Sequence, residues 1–129
     1  KPWETFMDED RMPASGELTP DSPLSSWCSM GATACYITAS GDVRPCSVVS
    51  APAGNLNRQS FEHIWAHSPL FKKLRAFKLS DFECFACEHF PMCHPCPGLA
   101  FLEHGEFTAP PREVCRINSV FFKKQEAAT

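Results

Sequence analysis

The sequence predicts a small α+β domain built from one β-hairpin and several short helices. Its 129 residues suffice for one compact domain, and 43% of them are hydrophobic, the share that a folded soluble domain needs. Short runs of β-forming residues flank a Gly-Asp turn, and later segments repeat apolar residues at helical spacing. The eight cysteines and twelve prolines indicate short elements. A domain built from such elements needs cross-links in addition to a hydrophobic core.

The charge balance and the ends of the chain exclude several classes of protein. Twelve basic and fifteen acidic residues give a net charge of -3, whereas general nucleic-acid binding needs a basic excess. No apolar run reaches the length of a membrane span, and residues 1–4 do not begin a signal peptide. Because the chain does not begin with Met, we expect it to be cut from a longer protein or processed. The expected location is cytoplasmic, with no membrane or nucleic-acid partner.

The N-terminal segment differs in composition from the rest of the chain. Residues 1–26 combine acidic side chains with four prolines and scattered Ser and Gly, which is typical of a linker or an ordered extension outside the core. We expect Trp3 and Phe6 to dock onto the domain or a neighbour, unless this terminus is frayed. The expected division is a linker at 1–26, a domain at 27–118, and a helix end with a tail at 119–129.

The hairpin is predicted where two runs of β-forming residues, 35–39 and 43–46, flank a turn of Ser, Gly and Asp. Cys35 and Cys46 therefore stand at the open end of the two arms. At that position both sulfurs could reach one metal ion.

Four short helices are predicted after the hairpin, and three of them carry a start or stop signal. Ser60 is an N-cap, Pro69 suits a first helical position, and Gly105 ends a helix. Residues 54–56 are expected to form a loop, and residues 80–97 a cysteine-rich loop. The predicted helices cover residues 61–67, 69–77, 97–104 and 112–124.

The eight cysteines are the most informative feature of the sequence. In a reducing compartment, a dense set of cysteines usually binds metal. Each C-x2-C pair lets two sulfurs face one centre, but the two pairs are closer than those of a zinc ribbon, which stand about 15–20 residues apart. The motif is Cys84-x2-Cys87-x5-Cys93-x2-Cys96, with Cys115 downstream and Cys28, Cys35 and Cys46 upstream.

The cysteine count leaves the identity of the metal open. Two sets of four thiolates match two iron–sulfur cubanes, and the same count suits two zinc ions. Disulfide bonds are a third alternative, although the tight spacing suits a shared ion better than separate bridges.

Together these motifs resemble the SPASM domain, the C-terminal extension of many radical S-adenosylmethionine (SAM) enzymes that modify peptides. The resemblance covers about residues 26–118. One departure is the two-residue gap between Cys93 and Cys96, where a gap of three is also common in the family. Besides the cysteines, the matching segments are Gly-Asp-Val-Arg-Pro-Cys at 41–46, Gly-Asn-Leu at 54–56, Ile-Trp-x2-Ser-Pro at 64–69 and Cys-Pro-Gly at 96–98.

The resemblance implies two [4Fe-4S] clusters with interleaved ligands. Cys28, Cys35, Cys46 and Cys96 would hold the first cluster, and Cys84, Cys87, Cys93 and Cys115 the second. Interleaving is physically reasonable, because the hairpin end and Cys96 close one site while Cys115 folds the last helix onto the other. Such sites act as staples, since metal-binding energy is also folding energy. The expected fold is therefore a metal-stapled α+β domain wrapped around two clusters.

Other side chains near the cysteines are expected to support the clusters without binding iron. Eight cysteines already suffice, so His89 and His94 should lie around the clusters or at the surface. The phenylalanines that are expected to form an apolar shell are Phe82, Phe85, Phe90 and Phe101.

The sequence carries no set of catalytic residues. It has no C-x3-C-x2-C triplet, which binds the SAM-cleaving cluster in radical SAM enzymes, and it is too short for a (β/α) barrel of about 200 residues or more. We therefore expect the auxiliary-cluster domain of a radical SAM peptide or protein maturase. It would support electron transfer and position a substrate peptide against the radical SAM barrel of the parent chain. The alternative is a zinc-stapled interaction module with no redox role.

Overall fold

The computed structural model describes residues 18–90 and 92–128, so the predictions for Trp3 and Phe6 lie outside the described residues. Within the described ranges, a three-stranded sheet precedes four α-helices, and the predicted α+β class is confirmed. Short 3-10 helices lie at Leu24–Ser26, Leu79–Asp81 and Glu83–Ala86.

The sheet is antiparallel, and its central strand is buried. β1 (Tyr36–Ile37) pairs with one side of β2 (Asp42–Arg44), and β3 (Gly54–Asn55) pairs with the other side. Val43 of the central strand is fully buried. The predicted hairpin is confirmed as β1 and β2, which place the residues just outside Tyr36 and Arg44 at one end of the sheet.

The prediction of a loop at residues 54–56 is wrong for Gly54 and Asn55, because these two residues form β3. Both residue types are depleted in strands, so local propensity does not indicate this strand. Contacts with distant residues hold it in place. The Asn55 side-chain amide donates to Asp42 Oδ1 at 2.9 Å, and a Cβ atom on Gly54 would lie only 2.7 Å from Ile64 Cγ1.

The turn between β1 and β2 requires a left-handed residue. Gly41 has a φ of 90°, a backbone angle that residues with a side chain rarely adopt. Its N–H donates to the Thr38 carbonyl at 3.0 Å. The Thr38 hydroxyl accepts a hydrogen bond from the Asp42 N–H at 3.0 Å. This closed turn fixes the register of the hairpin, with Tyr36 opposite Arg44.

The predicted helix pair is present as α1 (Phe61–His67) and α2 (Pro69–Ala76). The Ser60 hydroxyl accepts a hydrogen bond from the His63 N–H at 3.2 Å, which confirms the predicted N-cap. Pro69 begins α2, where its missing N–H costs nothing. Each fully buried side chain of the pair contributes about 1.5–3 kcal/mol. These side chains are Ile64, Phe71 and Leu74.

The last two helices are α3 (Pro97–His104) and α4 (Arg112–Ala128). α3 ends at Gly105, which is left-handed as the stop signal predicts. α4 continues beyond the predicted end at residue 124, because the residues there include the helix formers Glu and Ala. Its first two N–H groups donate to the Glu103 carboxylate. No helix in the described part of the chain is long and apolar enough to cross a membrane.

The core extends further toward the N-terminus than predicted. Leu24 is only 2% exposed, so the prediction that residues 1–26 stay outside the core is wrong at this residue. Backbone hydrogen bonds hold Leu24 there. Its N–H donates to the Phe77 carbonyl at 3.2 Å, and the Leu79 N–H donates to the Ser22 carbonyl at 2.9 Å. The buried core cluster consists of Leu24, Met30, Val43, Val49, Ile64, Phe71, Leu74 and Phe107.

Candidate metal centre

Four cysteines line one open pocket between the cysteine-rich loop and α4. Cys84 lies on the 3-10 helix Glu83–Ala86 and Cys87 follows that helix, while Cys115 lies near the start of α4. The residues that line the pocket are Cys84, Cys87, Phe90, Cys93, Pro95, Pro111 and Cys115. The structure thus brings together the four cysteines expected to hold the second cluster.

The thiol of Cys84 is influenced electrostatically by the other three thiols of this pocket. The pKa of Cys84 is raised to about 11, mainly by burial and then by the neighbouring thiols of Cys87, Cys93 and Cys115. Burial and like charges both disfavour a thiolate. A bound cationic centre would remove this penalty, because metal binding stabilises the deprotonated sulfur. The charge pattern of the pocket therefore suits a metal centre.

The cysteines expected to hold the first cluster come from three parts of the fold. Cys35 precedes β1 and Cys46 follows β2, so the strand register places both at the open end of the hairpin. Cys96 is the N-cap residue of α3. The pKa of Cys28 is raised by burial, against a lowering hydrogen bond from the Met30 backbone, and the charges of Cys96 and Cys46 raise it further. Cys28, Cys46 and Cys96 therefore lie near one another.

Helix α3 approaches this first set of cysteines at Gly98. A Cβ atom at Gly98 would lie 3.3 Å from Cys46 Sγ and 3.5 Å from Val48 Cβ. Because glycine lacks that atom, the first turn of α3 can pack directly against Cys46. This packing holds Cys96, at the start of the helix, on the same side as the hairpin cysteine.

Aromatic side chains separate the two sets of cysteines. A narrow apolar cavity is lined by Cys84 of one set and Cys96 of the other, together with Trp27 and Phe90. The Trp27 indole N–H donates to the Pro95 carbonyl at 2.9 Å, so its only polar group is satisfied. These side chains form an aromatic wall between Cys84 and Cys96.

The expected phenylalanine shell is present in part. Phe82, Phe85 and Phe90 line the cavity at the aromatic wall. The prediction that Phe101 belongs to this shell is wrong. Its ring stacks on the buried Phe107 with ring centroids 4.5 Å apart and packs against the hydrophobic core. Its place on α3 turns it toward the core instead of toward the cavity.

The two histidines of the cysteine-rich loop lie against aromatic rings. His94 stacks on Trp27 with ring centroids 4.0 Å apart, and His89 stacks on Phe122 at 4.2 Å. Neither residue lines the four-cysteine pocket.

Four thiolates can hold either one zinc ion or one iron–sulfur cubane. Among residues 18–90 and 92–128, no three His, Cys, Asp or Glu side chains converge on one point as ligands of a single metal ion do. In a cubane, each cysteine binds a different corner iron, so the sulfurs stand further apart than the four ligands of a tetrahedral zinc ion. The donor chemistry of the four-cysteine pocket fits an iron–sulfur cluster.

Two residues at the site were not among the candidates from the sequence. Asn118 donates from its side-chain amide to Cys93 Sγ at 3.1 Å. It lies three residues after Cys115 on α4, and this spacing puts both on one helix face. The helical spacing from a candidate ligand could therefore have identified Asn118 from the sequence. Trp27 directly precedes Cys28, and no spacing rule identifies it.

Comparisons with known proteins point to radical SAM enzymes. The chain is 30% identical over 84 residues to the AdoMet-dependent heme synthase of Methanosarcina barkeri, covering 65% of this chain and 24% of that protein. It is 29% identical over 96 residues to the AdoMet-dependent heme synthase of Oleidesulfovibrio alaskensis, covering 71% and 25%. It is 37% identical over 70 residues to the mycofactocin maturase MftC of Mycolicibacterium smegmatis, covering 51% and 18%. No solved structure matches the chain.

The chain spans about a quarter or less of the length of these relatives. The family model of the SPASM domain, an iron–sulfur cluster-binding domain, matches residues 28–97. That match begins at the first cysteine, ends just after Cys96, and covers more than half of the 129 residues. The chain therefore belongs to the SPASM family, the iron–sulfur cluster-binding domains of radical SAM enzymes.

Proposed function

We propose that this chain binds two auxiliary [4Fe-4S] clusters within a radical SAM enzyme. The main support is the single pocket that Cys84, Cys87, Cys93 and Cys115 line. These would hold one cluster, and the remaining cysteines would hold the other. The remaining cysteines, which form the first set, are Cys28, Cys35, Cys46 and Cys96.

Electrostatics favours this partition of the cysteines, and the family match favours iron–sulfur clusters. The thiols that raise the two elevated cysteine pKa values, after burial, belong in each case to the same set: Cys96 and Cys46 act on Cys28, and Cys87, Cys93 and Cys115 act on Cys84. The zinc-stapled module remains the alternative, because zinc also binds four thiolates. The match to the model of an iron–sulfur cluster-binding domain favours a cluster over zinc.

The proposed role is electron transfer rather than direct binding of a substrate to iron. Bound clusters would supply one-electron chemistry. If all eight cysteines are ligands, every iron has a protein thiolate and no open position for a substrate. The domain would occupy about residues 27–118, with the segments on either side serving as a linker and a tail. It would pack against the radical SAM barrel of the parent chain in the cytoplasm.

The proposed substrate of the parent enzyme is a peptide that the SPASM domain helps to position. The similarity to a mycofactocin maturase supports this class, with 37% identity. A second candidate is heme synthesis, because the M. barkeri and O. alaskensis relatives are AdoMet-dependent heme synthases. Binding of a substrate peptide, compared with binding of a heme-type macrocycle, to the full-length parent would separate the two.

Metal analysis of anaerobically reconstituted protein tests the proposal. We expect about eight irons and eight sulfides per chain, because two cubanes contain that number. Four irons would contradict the second cluster. Two tightly held zinc ions, with no uptake of iron under these conditions, would support the zinc-stapled module instead. Visible absorption gives an independent check, since iron–sulfur protein is brown and zinc protein is colourless.

A further inference from the structure

One side-chain amide contacts a sulfur of the four-cysteine pocket. Asn118 Nδ2 donates to Cys93 Sγ at 3.1 Å, and the hydrogen bond is partly buried. Within residues 18–90 and 92–128, it is the one side-chain hydrogen bond to a cysteine sulfur. The contact joins residues 25 positions apart in the sequence, so it is produced by the fold and not by a local turn.

Helix α4 supplies both a candidate ligand and this donor. Cys115 and Asn118 are three residues apart on α4, and this spacing places them on one face. The neighbouring Ile117 is 59% exposed, whereas Asn118 is half-buried. The helix therefore presents the amide to the Cys93 sulfur and Cys115 to the pocket.

A hydrogen bond to a cluster sulfur favours the reduced cluster. Reduction adds one negative charge, which spreads onto the cysteine sulfurs, and an N–H donor stabilises that charge. Hydrogen bonds to the sulfurs are among the features that set cluster potentials. The amide of Asn118 does not titrate, so it would act at any pH as a fixed dipole. Uptake of one electron at the cluster requires no proton from it.

The two cysteine sets differ in this respect. In the first set, Cys28 accepts a hydrogen bond from the Met30 backbone N–H, which any residue at that position except proline could supply. In the second set, Cys93 depends on a side chain that a substitution can remove. The geometry points to Asn118 as a positioning residue that raises the reduction potential of the second cluster. This inference rests on the proposed function, because it requires iron at both sites.

The test compares midpoint potentials in anaerobically reconstituted chains. Asn118→Leu keeps a similar size and removes the donor, and Asn118→Asp keeps the shape and adds a negative charge. We expect the midpoint potential of one cluster to fall in Asn118→Leu and to fall further in Asn118→Asp, while the other cluster is unchanged. Ser119→Ala is the matched control, because its hydroxyl donates only to the Arg116 carbonyl on the same helix. It should leave both potentials as in wild type.

Each outcome separates the inference from the proposed function. Protein that takes up no iron contradicts the proposed function itself. Full iron content in Asn118→Leu, with both potentials unchanged, overturns the role of Asn118 and leaves the two-cluster proposal intact. A shift of equal size in both clusters also overturns it, because the hydrogen bond touches only one set.

A second measurement, on the protein without substitutions, tests the inference even if an Asn118 variant loses its cluster. The chain has three asparagines, and the other two lie at positions 55 and 57. Asn55 contacts the hairpin turn through Ser40 and Asp42. With the asparagine side chains labelled with nitrogen-15, electron–nuclear double resonance of the reduced protein should show coupling to the cluster whose signal depends on Cys93. Absence of that coupling would overturn the inference.

Discussion

Trp27 stacks on His94 with ring centroids 4.0 Å apart and an angle of 9° between the ring planes. The indole also stacks on Phe90 at 4.4 Å. Trp27 precedes Cys28 of the first set, and His94 follows Cys93 of the second. The stack therefore joins the two chain segments that carry cysteines of different sets. A substitution that disrupts the stack should disturb both cysteine sites.

Replacing this indole should destabilise the iron-loaded protein. For Trp27→Ala we expect a loss of about 2 kcal/mol in the free energy of unfolding, less than the 3–5 kcal/mol for a fully buried aromatic, because Trp27 is half-buried. Trp27→Phe keeps the stacking face and loses only the hydrogen bond to Pro95, so about 1 kcal/mol is expected. Anaerobic denaturation with guanidinium measures both values. Equal losses in the two variants would show that stacking contributes nothing.

The partition of the cysteines predicts which variants resemble one another. Cys115→Ala should remove the same paramagnetic signal as Cys84→Ala, because both residues line the same pocket. Cys28→Ala should remove the signal that Cys96→Ala removes, because their charges interact. Electron paramagnetic resonance of the reduced variants distinguishes the two groups. The partition is wrong if Cys96→Ala and Cys87→Ala remove one signal while Cys28→Ala removes the other.

The parts of the fold that could be predicted are those with local signals. The Ser60 cap, the proline that begins α2 and the left-handed Gly105 each act within one turn of a helix. Gly41 similarly determines the hairpin turn through its own backbone angle. Such residues specify their elements before any distant contact forms, so the boundaries of α1 and α3 agree with the sequence.

The parts that could not be predicted depend on distant residues. Leu24 lies in a segment of linker-like composition, yet backbone bonds to the chain after α2 bring it into the core. β3 consists of poor strand formers that tertiary contacts hold. At the candidate site, the cysteine spacing indicates the sets, whereas the Trp27 stack and the Asn118 hydrogen bond to Cys93 arise only after the loop and α4 meet.

Glu103 predicts a pH dependence of stability. Its pKa is lowered, first by the hydrogen bond from the Glu113 N–H and then by that from Arg112. A carboxyl with a lowered folded pKa adds stability above its unfolded pKa, and this stability is lost as pH falls through the folded pKa. Glu103→Gln should therefore lower the thermal midpoint at pH 7 and have little effect at pH values below that folded pKa.

The control for this comparison is Glu106→Gln, which changes another exposed acid three residues away. It removes the same charge without touching the start of α4, so it should not alter the midpoint at either pH. Thermal scans followed by circular dichroism at several pH values measure both variants. A Glu103→Gln curve parallel to wild type across this range would contradict the role of the carboxylate as a cap.

Gly98→Ala should damage the first cluster and spare the second. The added Cβ atom would lie 3.3 Å from Cys46 Sγ, so the Cys46 sulfur would have to shift by a few tenths of an ångström, enough to disturb a ligand whose position the cluster fixes. Alanine favours helices by about 1 kcal/mol over glycine, so a loss of cluster would not reflect a weaker α3. Leu102→Ala is the matched control, because this side chain on the same helix is 63% exposed. We expect iron content to fall toward half in Gly98→Ala, with loss of the signal that depends on Cys28, and to stay complete in Leu102→Ala. Loss of the signal that depends on Cys84 instead would mean that Cys46 belongs to the other set.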